Sequence, residues 1–162
     1  AFAPVAQCHP DAVLLLAGDG PQREELLALV RQLGLGWRVR LLGMRHDMPA
    51  VYALTDHLVL PSLTEGMPLA VLEAMACEVP VIASAVGDIP RLLAHTAHGR
   101  IVPPGDADAL PAALAEAAAP PRMRDTARAP RVREHHSAQS MAQAYLELYR
   151  DLLEKAHVRR AG

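Results

Sequence analysis

Two carboxylates, Glu65 and Glu73, lie eight residues apart within the run PSLTEGMPLAVLEAMA. Glu65 falls in a loop beside Gly66, and Pro68 opens an apolar helical run predicted at 68–77. Proline suits the first turn of a helix, where its missing N–H would be unpaired anyway. The free N–H groups and positive dipole end of such a helix attract anions, phosphate above all. Glu73 falls one to two turns inside that helix, near any ligand resting at its start. A carboxylate there accepts two hydrogen bonds from a vicinal diol such as a ribose. Because Glu65 precedes the helix, the two do not read as a glycosidase pair. The plainer alternative is a capping carboxylate at 65 and a solvated helix face at 73, and spacing alone leaves both open.

Other candidate chemistry is thinner. Gly18-Asp19-Gly20 resembles half of a dinucleotide fingerprint, but Arg23 occupies the position of its third glycine. A strand-to-helix turn is the favoured explanation, and an NAD-dependent oxidoreductase rests on that Gly-Asp-Gly turn alone. Gly43 closes an apolar run, and the following Met44-Arg45-His46-Asp47 can offer backbone groups to a base, though turn chemistry alone explains this loop equally well. The eight histidines are scattered and lack zinc-ligand spacing with Cys8 or Cys77. GxSxG, HExxH and P-loop motifs do not occur. Tyr145 and Tyr149 read as packing.

Composition narrows the class. At 162 residues, 51% of them hydrophobic, the chain suits one domain with a proper core. No apolar run approaches a membrane span. The opening AFAPVAQCHP lacks the pattern of a signal peptide. Ala1 falls inside an element and is not Met, so the chain reads as a piece of a longer protein. A net charge of −2 gives no reason to expect nucleic acid. With two cysteines and no need of a disulfide at this size, a reduced, cytoplasmic setting is the expectation.

These residues must be positioned by alternating strands and helices. An apolar helix tail at 1–8 is stopped by His9-Pro10-Asp11. Strands are predicted at 12–17, 39–42, 57–60, 80–84 and 99–102, the first buried on both faces. Helices are predicted at 21–33, from a cap at Asp47 to Leu54, at 68–77, at 88–94 and at 107–118. Gly34 suits a C-cap. The pattern implies α/β architecture, a parallel sheet with helices on both faces. Ligands then bind beyond the carboxyl ends of the strands, which makes the Glu65 and Gly87 loops neighbours. Residues 120–136 carry five arginines, Arg122, Arg124, Arg128, Arg131 and Arg133, and read as a solvated helix-loop-helix. Met141, Tyr145, Leu148 and Leu152 mark a closing helix that packs across another element, with a fraying tail after Lys155.

The blocks AGDGP at 17–21, LLG at 41–43, the run at 56–84, GDIP at 87–90 and IVPPGD at 101–106 carry a resemblance. In that order they resemble the C-terminal donor-binding domain of family 4 glycosyltransferases, of the GT-B fold. The E-x7-E pair is the most specific element. The resemblance divides the chain into a Rossmann-like nucleotide-sugar-binding domain, truncated at its start, at 1–136, and a closing helix and tail at 137–162. It implies a retaining glycosyltransferase of glycan biosynthesis, using a UDP-, GDP- or ADP-sugar donor without a metal. Glu65 would contact the donor sugar. Gly66, Met67, Pro68 and Leu69 would border the diphosphate, and Glu73 would hold the ribose. Gly43, Met44 and Arg45 would flank the base. A carbohydrate or lipid-linked acceptor would come through the family's N-terminal domain, with the whole enzyme peripheral at the membrane.

Departures from the family qualify this. The cations that grip the diphosphate in the family precede the position of Ala1, and the single lysine, Lys155, lies in the closing helix. Where Gly-Gly-x-Pro-Glu is frequent, the chain has Gly87-Asp88-Ile89-Pro90-Arg91, with Arg91 expected to face water. One wall of a cleft implies no transfer by this chain alone. The competing readings are a non-catalytic nucleotide-binding or interaction module and a sugar-nucleotide epimerase of GT-B type.

Overall fold

The structure, a computed structural model, describes residues 1–94, 99–119 and 128–160. In chain order the elements are α1 (Phe2–Cys8), β1 (Leu14–Ala17), α2 (Arg23–Gln32), β2 (Val39–Gly43), α3 (Met48–Ala53), β3 (Leu58–Leu60) and α4 (Leu69–Ala76). They continue as β4 (Val81–Ser84), α5 (Ile89–Leu93), β5 (Arg100–Val102), α6 (Ala109–Ala118), α7 (Arg128–His135) and α8 (Ala138–Arg160). His95, His98, Arg122 and Arg124 lie outside the described residues.

Among the described residues, the strands pair in parallel in two ladders, β1–β2 and β3–β4–β5. Leu14 lies opposite Val39 and Leu16 opposite Leu41, with an irregularity where Ala17 meets Gly43. Strand β4 is central and buried along its length. Val81 and Ala83 join a core built with α4, while Ile82 packs with Val102 and Ala113 of α6. Alternating side chains thus bury both faces of the strand, as a parallel sheet with helices on both sides requires.

The first ladder is less deeply covered than the sequence predicts. Leu14 and Leu16 pack with Ala6, but the strand is only half-buried and Val13 is 50% exposed. On α2, Val30 packs inward, whereas Leu26, Leu29 and Leu33 of the expected stripe are exposed. An apolar stripe marks which face a helix can bury, not whether a partner meets it. Gly34 does follow the end of α2 with a φ of +68°, a conformation glycine adopts without strain.

Side chains tie the layers together. The Arg38 guanidinium donates to the Ala6 carbonyl and, at 3.1 Å, to that of His9, serving carbonyls at the end of α1. It also stacks on the Trp37 ring, 4.1 Å from its centroid. Helix α1 lies along α6, and Arg100 of β5 pairs with Glu116 of α6.

The Asp106 carboxylate caps α6, accepting from the N–H groups of Asp108 at 2.9 Å and Ala109 at 2.8 Å. These bonds hold its carboxyl below the ordinary carboxylate range. A depressed folded-state pKa contributes stability above the ordinary value, lost as pH falls through the folded one. The melting-temperature deficit of Asp106→Ala is therefore expected to be full at neutral pH and to disappear on acidification. A deficit independent of pH would contradict the charged cap.

The arginine-rich segment is not wholly a solvated surface. Helix α7 packs on α4, with Ala129 and Val132 buried. Val132 joins the main core beside Val71, Leu72 and Met75 of α4. Helix α8 meets α7 and runs on to Arg160, past the expected fraying point. Met141, Tyr145, Leu148 and Leu152 are exposed, with Tyr145 and Tyr149 ring centroids 6.2 Å apart. Neither Cys8 nor Cys77 is joined in a disulfide. Among the described residues, no helix is long and apolar enough to cross a membrane.

Candidate functional site

The site is built at the carboxyl ends of the parallel strands. Beyond β3, the chain turns at Pro61 and Ser62 toward α4. The Ser62 hydroxyl donates to Oε1 of the half-buried Glu65 at 2.8 Å. The next residue, Gly66, accepts the Asp88 N–H at 2.9 Å. The expected meeting of the Glu65 and Gly87 loops is thus observed.

Pro68 stands one residue earlier relative to the helix than the sequence predicts. It is the N-cap, with extended φ and ψ of −73° and 117°, and Leu69 is the first helical residue. Its buried ring starts the turn, while its carbonyl accepts the Val71 N–H at 3.2 Å. Among the described residues, the N–H groups of Gly66, Met67, Leu69 and Ala70 meet no protein acceptor. Such unpaired donors are what a helix start leaves for solvent or an anion.

Glu73 projects from the exposed side of α4, a turn beyond those donors. The Tyr52 hydroxyl, on α3, points at Glu73 Oε2 at 3.1 Å and at the Ala70 carbonyl oxygen at 3.2 Å. Tyr52 is 2% exposed. Burial, reinforced by the nearby Glu73 charge, pushes its hydroxyl pKa far upward, so it stays a donor. Each site carboxylate therefore has one oxygen held by a neutral hydroxyl. Neither Ser62 nor Tyr52 is marked by sequence spacing.

The other predicted residues gather around β1 and β2. Gly43, with a φ of +66°, accepts the Gly18 N–H at 2.8 Å, joining the Gly-Asp-Gly turn to the loop that follows β2. Met44 is 67% exposed. Arg45 donates to Asp47 Oδ2 at 2.6 Å and, by that bond, holds the Asp47 carboxyl below the usual range. Asp47 occupies the N-cap of α3 but forms no side-chain cap, contrary to expectation, because the cation two residues earlier takes its carboxylate. Helix α3 links the two groups of residues, running from Asp47 at one end to Tyr52 at the other.

Arg91 is exposed, as predicted, yet it is not alone. It grips Asp88 with two bonds, Nε to Oδ1 at 3.1 Å and Nη2 to Oδ2 at 2.6 Å. The unusual Asp and Arg of this loop thus neutralise each other across one turn of α5. Among the described residues, no cluster of His, Cys, Asp and Glu is placed to hold a metal ion. Chemically, the site offers hydroxyl-accepting carboxylates at two depths, with unpaired N–H donors between them.

The family model for glycosyl transferases group 1 matches residues 1–119. N-acetyl-alpha-D-glucosaminyl L-malate synthase of Bacillus anthracis is 41% identical over 106 residues, covering 65% of this chain and 28% of that protein. Sucrose-phosphate synthase of Thermosynechococcus elongatus superposes with a TM-score of 0.74 at 33% identity, over 94% of this chain and 42% of that one. Anabaena HepE, in complex with UDP and glucose, gives a TM-score of 0.80 at 25% identity, over 93% of this chain and 44% of that one. The chain thus spans less than half the length of each of these three proteins. The match over residues 1–119, most of the chain, places it: this chain belongs to the glycosyl transferases group 1 family.

Proposed function

We propose that this chain forms the donor-binding wall of a retaining glycosyltransferase, which moves a sugar from a nucleoside diphosphate to a carbohydrate or lipid-linked acceptor. One observation carries the reading. The Glu65 loop and the start of α4 present unpaired N–H donors between two carboxylates, each with one oxygen held by a hydroxyl. In this arrangement Glu65 meets the donor sugar, and Gly66, Met67, Pro68 and Leu69 border the diphosphate. Glu73 takes the ribose diol. Gly43, Met44 and Arg45 flank the base. The helix start meets the diphosphate charge through its dipole and N–H groups. The UDP carried by the Anabaena relative supports a nucleoside diphosphate as the ligand class.

Transfer needs donor and acceptor held together in a closed, dry cleft. The chain of 162 residues is therefore expected to bind nucleotide weakly and to transfer nothing by itself. Titration with UDP, GDP and ADP, followed by amide resonances, tests the reading. Shifts are expected at 43–45, 66–69 and 73 for at least one nucleotide. Silence there for all three would favour a non-catalytic interaction module. Sugar transfer by the purified chain, abolished by Glu65→Ala, would overturn the claim that it acts only as one wall.

A further inference from the structure

We propose that Gly87 is a positioning residue for Glu65: its bare backbone is the seat on which the Glu65–Gly66 peptide rests. This inference rests on the donor-site reading above. Gly87 follows the central strand β4 and adopts a φ of +54°. A Cβ at this position would lie 2.9 Å from the carbonyl carbon of Glu65, and nearer still to the carbonyl oxygens of Glu65 and Gly66. All three are backbone atoms, which cannot swing aside as a side-chain tip would. The adjacent Asp88 N–H donates to the Gly66 carbonyl at 2.9 Å and fastens the two loops together. A side chain at 87 therefore forces the Glu65 loop outward, away from β4.

That loop contains the parts that must be accurately placed. Glu65 is held by Ser62 within the same loop, so carboxylate and holder would move as one body. The N–H groups of Gly66 and Met67 move with them. Glu73 is anchored differently, through Tyr52 and the body of α4. Displacing the loop thus changes the spacing between the sugar-side and ribose-side carboxylates. Misplacement by about 1 Å is enough to cost a site its complementarity.

The other positive-φ glycines separate contact from backbone strain. Gly34 has a φ of +68°, and a Cβ there meets nothing within 4 Å. Gly34→Ala carries the cost of left-handed backbone without touching the site, which makes it the matched control for Gly87→Ala.

The test compares both variants with the parent chain by amide resonances, first without ligand and then with UDP, GDP and ADP in turn. Gly87→Ala is expected to move the resonances of Glu65, Gly66 and Met67 while those of Val71 to Met75 stay in place. Its nucleotide affinity should fall about tenfold or more. Gly34→Ala should change neither. Unmoved resonances at 65–67 in folded Gly87→Ala would overturn the proposal, as would an affinity equal to that of Gly34→Ala. If the parent binds no nucleotide, the donor-site reading fails, and the ligand-free resonances alone decide whether Gly87 seats the loop. Should Gly87→Ala not fold, Gly87→Asn keeps the contact with the Glu65–Gly66 peptide on a residue that better tolerates left-handed backbone. It must then move the same resonances for the proposal to stand.

Discussion

Replacing Glu73 with alanine is expected to weaken nucleotide binding by about 2–3 kcal/mol, roughly 30- to 150-fold, while leaving the fold intact. The magnitude follows from losing charge-assisted hydrogen bonds to a diol. The sparing of the fold follows from geometry. Glu73 is exposed on α4, and the Tyr52 hydroxyl keeps the Ala70 carbonyl as an acceptor after the carboxylate is gone. Calorimetric titration and thermal unfolding of the same variant separate the two effects. Equal affinity in parent and variant would remove Glu73 from the site. Equal losses of affinity and stability would make it a structural residue.

The second large effect is on stability. Ile89 opens α5 directly after the Gly87 loop and is fully buried in the main core. Truncation to alanine leaves a cavity that rigid neighbours on α4 and β4 cannot close. A cost of about 3 kcal/mol is expected, near 10 °C in melting temperature for a chain of this size. Leu29 on α2 provides the contrast: at 46% exposure, its replacement by alanine should fall within about 0.5 kcal/mol. Similar melting temperatures for Ile89→Ala and Leu29→Ala would contradict the burial that distinguishes the two helices.

The alternation of strand and helix was legible in the sequence because local signals mark it. Apolar runs end at Gly43, at Pro61 and at Ser84, and each glycine or proline turn reverses the chain between layers. Type and spacing singled out Glu65 and Glu73 as candidates, leaving a ligand role and a structural one both open, whereas the meeting of their loop with Gly87 was legible. Coverage was not legible. The Leu stripe of α2 and the apolar run of β1 specify what should be buried, but nothing local states what lies opposite. The same holds for Ala129 and Val132, which read as part of a charged segment until α4 is seen beside them. Contacts across the fold were equally silent. Tyr52 reaches Glu73 over 21 residues of sequence, and no periodicity encodes that distance. Asp47 shows the opposite failure, a local rule for capping overridden by a still more local ion pair with Arg45.

The division of the strands into two ladders has a consequence for motion. Among the described residues, the β3–β4–β5 ladder shares the main core of twelve buried residues, whereas three gather around β1 and β2. Cooperative opening should follow that inequality, with the smaller unit exchanging its amide protons through partial unfolding at lower free energy. Gly43, Met44 and Arg45 belong to that smaller unit, while Glu65 and Glu73 stand on the larger. A nucleotide spanning both would quiet one more than the other. Its affinity would then carry an entropic component, set by how much order the smaller unit still lacks before the ligand arrives.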